Sequence, residues 1–196
     1  MSVYKIHLTG VGGQGTIKTS TIIGEAAIKR GLNVVMSEVH GMAQRGGVVT
    51  TDLKIGDAHS PLIENGDADL VIGFEPAETL RSLPKVSEKT FVITNFARII
   101  PFTVGLGLSE YPPIEQIISE LKAKVKHLFV INAEELANKA GNIMSLNMVL
   151  LGAATAIPRF PIGKDEIIQS MKENLPPKTI EVNLKAFELG FKEVSG

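Results

Sequence analysis

A glycine-rich stretch near the N-terminus has the composition of a loop that binds phosphate. It reads Gly-Val-Gly-Gly-Gln-Gly at residues 10–15, between a strand-like run and a helix-like run, and matches the pattern G-x-G-x-x-G. Glycines let the backbone come close to a ligand, and a helix start offers free N–H groups to an anion. Thr16 adds a hydroxyl there. The stretch predicts either a site for a phosphate-bearing ligand or only a tight turn between strand and helix.

Two common nucleotide sites match this stretch incompletely. An NAD site requires an acidic residue about 20 residues further on, and Glu38 is the candidate, but Glu38 begins another glycine-rich loop. A P-loop requires a lysine directly after its last glycine, whereas Lys18 comes two residues late. At 3.6 residues per turn, that delay rotates the lysine by about 200° around the helix. The spacing therefore favours neither a resident NAD nor a P-loop.

The second glycine-rich loop, residues 38–47, reads Glu-Val-His-Gly-Met-Ala-Gln-Arg-Gly-Gly. The Arg45 guanidinium suits a carboxylate or a phosphate, and the side chains of Gln44 and His40 can donate or accept hydrogen bonds. In a doubly wound sheet, the loops after the first two strands both leave carboxyl ends, where ligands bind. We therefore expect the two loops to meet, with His40, Gln44 and Arg45 as candidate catalytic residues. The alternative is a structural surface loop with a solvated arginine.

Short β-rich runs alternate with helical runs, which is typical of βαβ units. We expect strands at 4–8, 33–37, 48–55, 69–74, 91–94 and 127–131, and helices at 16–29, from 75 onward, and at 114–124, 133–139, 145–156, 164–173 and 179–194. Residues 97–113 are expected to be irregular. The fold class is α/β: a doubly wound, mostly parallel sheet with helices on both faces and a helical C-terminal third, in a single domain over residues 1–196. The apolar helix at 145–156 predicts a central core helix, or alternatively a subunit interface.

Composition excludes several kinds of site. The chain has no cysteine, which rules out disulfides, thiolate-held iron–sulfur clusters and cysteine nucleophiles. Its net charge of −1 gives no indication of a nucleic-acid surface. The four histidines are scattered without metal-ligand spacing, so no metal site is expected. We recognise neither a signal peptide nor a membrane span, and expect a cytoplasmic protein.

The two loops together resemble the γ-type domain of 2-oxoacid:ferredoxin oxidoreductases. Two further segments agree with that family, Asp-Ala-Asp-Leu-Val-Ile-Gly-Phe-Glu at 67–75 and Asn-Met-Val-Leu-Leu-Gly-Ala at 147–153, so that the resemblance covers nearly the whole chain in order. The form Gly-Met-Ala-Gln-Arg-Gly-Gly at 41–47 is similar to the indolepyruvate branch. The pair of loops is a specific signal, whereas the first loop alone would be a weak one.

The resemblance implies a subunit that is inactive alone. The holoenzyme would decarboxylate an aryl 2-oxoacid on thiamine diphosphate, pass electrons through [4Fe-4S] clusters to ferredoxin and release an acyl-CoA. A large subunit would carry the thiamine diphosphate and the clusters, in agreement with the absence of cysteine here. This chain would bind no cofactor by itself, and its loops would face the partner and, as a co-substrate, CoA. The candidate binding residues are Gly10, Gly12, Gly13, Gln14, Gly15, Thr16, Gly46 and Gly47.

Alternative functions stay open at this point. The chain could be a stand-alone nucleotide- or flavin-binding protein of Rossmann type, or a γ subunit of the pyruvate or 2-oxoglutarate branch. A third alternative is a purely structural subunit whose glycine loops touch only protein. Contacts between two copies of the chain also stay open. Glu75, at the carboxyl end of a strand, is expected mainly to stabilise the start of a helix, with a site role as the lesser alternative.

Overall fold

The computed structural model describes residues 3–41 and 46–196. Within these ranges six strands form one sheet, in the order β2-β3-β1-β4-β5-β6. The strands are β1 (Tyr4–Val11), β2 (Val34–His40), β3 (Val48–Ile55), β4 (Leu70–Gly73), β5 (Phe91–Asn95) and β6 (His127–Ile131). The helices are α1 (Thr16–Lys29), α2 (Pro76–Arg81), α3 (Phe102–Gly105), α4 (Ile114–Lys124), α5 (Ala133–Ala140), α6 (Leu146–Thr155), α7 (Lys164–Asn174) and α8 (Ile180–Ser195). Short 3₁₀ turns occur at Leu83–Lys85, Ile143–Ser145 and Pro177–Thr179.

Most of the sheet is parallel, as predicted. Strands β1, β4, β5 and β6 run in one direction, and β3 runs antiparallel to both of its neighbours, β1 and β2. Because β3 lies between them and opposes both, β1 and β2 point the same way. Their carboxyl ends therefore lie at one edge of the sheet, where the predicted loops begin.

The first two strands are longer than the sequence indicates. We expected β2 to end at residue 37 and a loop to begin at Glu38, but β2 continues to His40 because Glu38 and His40 pair with Thr51 and Val49 of β3. Likewise β1 continues to Val11, since Gly10 and Val11 also pair with β3. Ladder pairing outweighs the weak strand propensity of glycine and of charged residues. The loop after β2 therefore begins at Gly41.

Helices cover both faces of the sheet. One face packs against α1 and the C-terminal helices through a large apolar cluster that includes Ile6, Leu8, Ile23, Leu53 and Phe187. The other face packs against α2 and α4 through a smaller cluster. The expected doubly wound α/β fold with a helical C-terminal third is confirmed. None of the helices in the described ranges is long and apolar enough to cross a lipid bilayer.

Helix α6 is a buried core helix. All its residues from Met148 to Thr155 are buried, and its main partner is α8. A Cβ atom built on Gly152 would lie 2.0 Å from the carbonyl oxygen of Phe187, and one on Gly190 would lie 1.9 Å from that of Val149. The two helices therefore touch backbone to backbone, which only glycine permits at these positions.

We expect Gly152→Ala to destabilise the protein by about 1–3 kcal/mol, because the added methyl group collides with backbone that cannot move aside. Gly24→Ala in α1 is the matched control, since a Cβ there would lie 3.6 Å from Val34 Cγ1, an ordinary contact. That change should stabilise α1 by about 0.5–1 kcal/mol through helix propensity. Urea unfolding followed by circular dichroism measures both. Equal effects of the two substitutions would contradict the close α6–α8 contact.

Candidate functional site

The two glycine-rich loops meet at the carboxyl edge of the sheet, as expected. The Gly12 N–H donates to the Gly47 carbonyl at 2.8 Å, and the Gly46 N–H lies 3.5 Å from the Gly12 carbonyl oxygen. Gly13 and Gly46 both have positive φ, at 104° and 79°. These are conformations that residues with a Cβ rarely adopt. The backbone of the first loop is thus attached directly to the end of the second.

Gln14 fixes the shape of the first loop from inside. Its Oε1 accepts a hydrogen bond from Val11 N, and its Nε2 donates to the Phe74 carbonyl, both at 2.8 Å. A Cβ on Gly10 would lie 2.7 Å from Phe74 Cβ, so the strand end can approach Phe74 only as glycine. The Gln14 side chain therefore links the carboxyl end of β1 to Phe74, the residue after β4. The side chain acts here as a brace of the loop, and its role in binding a cofactor stays a prediction.

The N-terminus of α1 opens beside this loop. Gly15, in the left-handed conformation, precedes the helix, and the carbonyl of Gly15 accepts from Thr19 N at 3.0 Å. A Cβ on Gly15 would lie 2.5 Å from Asn147 Nδ2, so the start of α6 is packed against the start of α1. Thr16 is buried, and no described residue forms a hydrogen bond with its Oγ1. Backbone N–H groups of the first turn and one spare hydroxyl are thus concentrated at this point.

A cleft of about 530 Å³ lies over these groups. Its lining residues are Val11, Gly12, Gly13, Gly15, Thr16, Ile17, His40, Gly41 and Val49. The volume is that of a site for a small ligand or for part of a cofactor, which typically takes about 300–1,000 Å³. Of the candidate catalytic residues, His40 is exposed at the edge of this cleft. Gln44 and Arg45 lie outside the described residues.

The arrangement argues against the NAD interpretation. Thr51 of β3 lies opposite both Leu8 of β1 and Glu38 of β2, so Glu38 is two strands away from the first loop. At about 4.8 Å per strand, that separation is roughly 10 Å, whereas a dinucleotide fold has its acidic residue on the strand next to β1. Lys18 Nζ is 3.5 Å from the Asn174 carbonyl oxygen on α7, away from the cleft. The inserted strand β3 is the physical reason for the difference.

Glu75 has a larger role than the sequence indicates. It is 1% exposed, and its side chain caps α2 by accepting from Glu78 N at 3.0 Å, as expected for a helix-start carboxylate. It also accepts from the Tyr111 hydroxyl and lies 3.4 Å from Ile99 N. Burial, followed by the hydrogen bond and charge of Glu75, raises the pKa of Tyr111, which keeps this hydroxyl a donor. One carboxylate thus connects α2 to both ends of the segment between β5 and α4. A distant partner of this kind leaves no local sequence signal.

A smaller pocket of about 220 Å³ adjoins the glycine loops. It contains Glu75, Glu78 and Tyr111, and it shares Val11 and Gly46 with the meeting point of the loops. Burial raises the pKa of Glu78, assisted by the Glu75 charge and opposed by the paired Arg81. Among residues 3–41 and 46–196, no three His, Asp or Glu side chains are grouped so that they could hold a metal ion.

His7 of β1 belongs to a buried hydrogen-bond network with Asp52 of β3 and Ser82, and it does not line the main cleft. Its Nδ1 is 2.6 Å from Asp52 Oδ1 and its Nε2 is 3.1 Å from Ser82 Oγ. The Ser82 hydroxyl donates to the Glu78 carbonyl at 3.0 Å, so this proton is engaged by the backbone and not directed at a substrate. Asp52 Oδ2 accepts from Ile63 N at 3.0 Å. The network joins β1, β3 and the chain that follows β3, so His7 has a structural role here.

Comparison with known proteins places the chain in a family. Residues 5–193 match the sequence model of the protein family described as "Pyruvate ferredoxin/flavodoxin oxidoreductase". The chain belongs to this family. Indolepyruvate oxidoreductase subunit IorB of Methanothermobacter thermautotrophicus is 54% identical over 96% of this chain and 96% of its own length. In Archaeoglobus fulgidus, subunit IorB is 42% identical over 97% of this chain and 96% of its own, whereas 2-oxoglutarate synthase subunit KorC is 26% identical over 95% and 86%.

A solved structure shows the same fold within a longer polypeptide. The 2-oxoglutarate:ferredoxin oxidoreductase from Magnetococcus marinus superposes with a TM-score of 0.73 and 20% identity. The match covers 99% of this chain and 31% of that chain. At this identity the likeness establishes the fold, which in that enzyme is one part of a larger chain. The family resemblance expected from the two loops and the segments at 67–75 and 147–153 is confirmed.

The Asp52 network predicts a pH-dependent stability. Burial alone would raise the pKa of Asp52, but the hydrogen bonds from His7 and Ile63 N and the charges of His7 and Lys85 lower it overall. A lowered pKa in the folded state contributes stability above the unfolded-state value of about 3.9, and this stability is lost as pH falls through the folded-state value. The stability advantage of the wild type over Asp52→Asn should therefore be full at pH 6 and shrink below about pH 4.

Urea unfolding between pH 3 and pH 7 measures this difference. Asp57→Asn, directly after β3, removes an exposed carboxylate and serves as the control. It should change the free energy of unfolding at pH 6 much less than Asp52→Asn does. An Asp52→Asn deficit that stayed constant down to pH 3 would show that the carboxylate charge is not what stabilises the network.

Proposed function

We propose that this chain is the small subunit of an oxidoreductase of the indolepyruvate type, which oxidatively decarboxylates an aryl 2-oxoacid to an acyl-CoA with ferredoxin as the electron acceptor. The observation that carries the proposal is the full-length similarity to subunits named IorB, which is well above the similarity to the 2-oxoglutarate synthase subunit of the same organism. The γ subunit of a pyruvate or 2-oxoglutarate enzyme is the less supported alternative. Residues 1–196 would form one γ-type domain, and the enzyme would act in the cytoplasm.

The partner in this proposal is a large subunit that holds thiamine diphosphate and [4Fe-4S] clusters. Iron–sulfur clusters require thiolate ligands, and this chain has no cysteine. The clusters and the transfer of electrons to ferredoxin must then belong to another chain. The decarboxylation chemistry would take place on the thiamine diphosphate of that subunit, and this chain would contribute the wall of the cleft that faces it.

The cleft at the glycine loops fits the phosphate groups of CoA. A phosphate oxygen needs several donors with little bulk around them, and α1 provides unpaired backbone N–H groups and the positive end of the helix dipole. Gly13 leaves open space in front of these donors, and Thr16 has a hydroxyl with no partner in the described protein. Arg45, from its chemistry and its place in the second loop, would pair with a phosphate or with the carboxylate of the oxoacid. Gln44, which precedes Arg45, and His40 at the end of β2 would add hydrogen bonds that orient the same group.

Co-purification tests the complex. A tagged form of this chain, expressed in its native host, should bring down a larger chain with thiamine diphosphate and iron–sulfur absorbance. Reduction of ferredoxin by indolepyruvate and CoA should then require both chains. If the isolated chain instead bound NAD(P)H, FAD or FMN tightly and reduced an acceptor without a partner, the stand-alone nucleotide-binding alternative would replace this proposal.

In the reconstituted complex, Arg45→Ala should lower kcat/KM for CoA or for the oxoacid by at least tenfold, because the substituted residue no longer pairs with a phosphate or carboxylate. The two chains should still associate. Lys122→Ala removes one exposed positive charge from α4 and is the control, with unchanged kinetics. Unchanged kinetics of Arg45→Ala in an intact complex would refute the proposed role of Arg45.

The Thr16 hydroxyl is buried under the first loop in the free chain, so it would have to turn toward the cleft to donate to CoA. Thr16→Val should then weaken binding of CoA to the complex at least tenfold, since a hydrogen bond to a charged acceptor is worth about 1.5–3 kcal/mol. It should not destabilise the free chain, because the hydroxyl has no partner in the described protein. Thr21→Val in the same helix, whose hydroxyl donates to the Ile17 carbonyl at 2.9 Å, is the matched control and should leave CoA binding unchanged. Calorimetric titration measures both. If Thr16→Val left CoA binding unchanged and Arg45→Ala changed kcat/KM for neither CoA nor the oxoacid, the loops would contact only protein, as in the purely structural alternative.

A further inference from the structure

An apolar surface is formed by the segment between β5 and α4. Six large hydrophobic side chains within residues 96–108 are exposed: Phe96, Ile99, Ile100, Phe102, Leu106 and Leu108. Phe102 and Leu108 are the extreme cases, at 79% and 74% exposure. Single exposed hydrophobic residues are common, but a group of six in thirteen residues is typical of a surface that another protein covers. We call residues 96–108 the apolar segment.

The apolar segment is held in a defined shape. The buried Glu75 carboxylate accepts from the Tyr111 hydroxyl just after the segment and lies 3.4 Å from Ile99 N near its start. Within it, Val104 N donates to the Pro101 carbonyl at 3.0 Å and Leu108 N to the Thr103 carbonyl at 2.9 Å. These contacts present the exposed side chains as a preformed surface, which lowers the entropic cost of binding.

The charge of the apolar segment limits what it can bind. Among residues 96–109 the only ionisable side chain is that of Arg98. A surface for nucleic acid or for anionic lipid needs several basic residues. One arginine beside six hydrophobic side chains instead matches an uncharged, apolar hollow on a protein.

The position of the apolar segment indicates which protein would cover it. It leaves the carboxyl end of β5, at the same edge of the sheet as the glycine loops, and its residues Ile99, Pro101 and Val104 line the pocket that also contains Val11 and Gly46. A protein seated on the apolar segment would therefore also cover the end of the second loop. In the Magnetococcus marinus enzyme this fold is 31% of a longer chain, so the rest of the enzyme is joined to it.

We propose that the apolar segment is the docking surface for the large subunit of the oxidoreductase, with Phe102 and Leu108 as its main anchors. The proposal rests on the proposed function, because it takes its partner from there. Docking at this edge would bring the partner next to the cleft at residues 10–15. Glu75 and Tyr111 act as positioning residues for this surface.

The test uses the reconstituted complex. The double variant Phe102→Ser/Leu108→Ser should weaken association with the large subunit at least a hundredfold, measured by surface plasmon resonance or by sedimentation. Ile28→Ser is the control, because Ile28 is 59% exposed but lies near the far end of α1. It should leave the affinity unchanged. In parallel, hydrogen exchange of residues 96–108 in the wild type should slow at least tenfold in the complex. This second measurement needs no variant that must fold.

The positioning role has a separate readout. Tyr111→Phe removes only the hydroxyl and leaves every exposed side chain of the segment in place. It should speed hydrogen exchange of residues 99–108 in the free chain and weaken association three- to tenfold. Faster exchange without weaker association would show that the preformed shape does not matter for docking, and would overturn this part of the proposal.

Other outcomes would overturn the docking proposal. An intact, active complex that the double variant forms with unchanged affinity places the large subunit elsewhere. If the wild-type chain alone formed a dimer that the double variant lost, while association with the large subunit was unchanged, the segment would join two copies of this chain. Co-sedimentation of the free chain with phosphatidylcholine vesicles, lost in the double variant, would assign it to lipid. By contrast, failure of any large subunit to co-purify contradicts the proposed function itself.

Discussion

The antiparallel strand β3 is the constraint on which the site depends. It pairs residue by residue with β1 from Val48 to Ile55 and with β2 from Val49 to Ile55. Because the second loop leads directly into β3, and Val48 of β3 pairs with Val11 of β1, the end of the second loop lies beside the first loop. The hydrogen bond from Gly12 N to the Gly47 carbonyl then joins them.

Around this meeting point the chain combines a rigid frame with an open front. Gln14 braces the inside of the first loop against Phe74, and Asn147 packs against Gly15 from behind. The front is left to glycine backbone, to Thr16 and to the exposed His40. On the other side, Glu75 holds the apolar segment next to the second loop. The cleft thus has preformed walls on both sides and an open side toward solvent.

Much of the fold was predictable because it follows from local patterns. Alternating apolar runs and helical periodicity gave the βαβ organisation, and the two loop sequences indicated both the family and the meeting of the loops. The direction of β3 was not predictable, since a β-branched run reads the same in either orientation. The extension of β2 through Glu38 to His40 depends on a neighbouring strand, not on local propensity. Glu75 was expected to stabilise a helix start, but its bond to Tyr111, 36 residues away, depends on tertiary folding.

The backbone contact between α6 and α8 also couples the site to the C-terminal helices. The start of α6 packs against Gly15, and α6 itself is seated on α8 through Gly152 and Gly190. Residues 180–195 therefore support the first loop, although none of them lines the cleft. Local opening of α8 would also loosen the helix start to which the first loop leads, so order at the site depends on the cooperative folding of α1, α6 and α8.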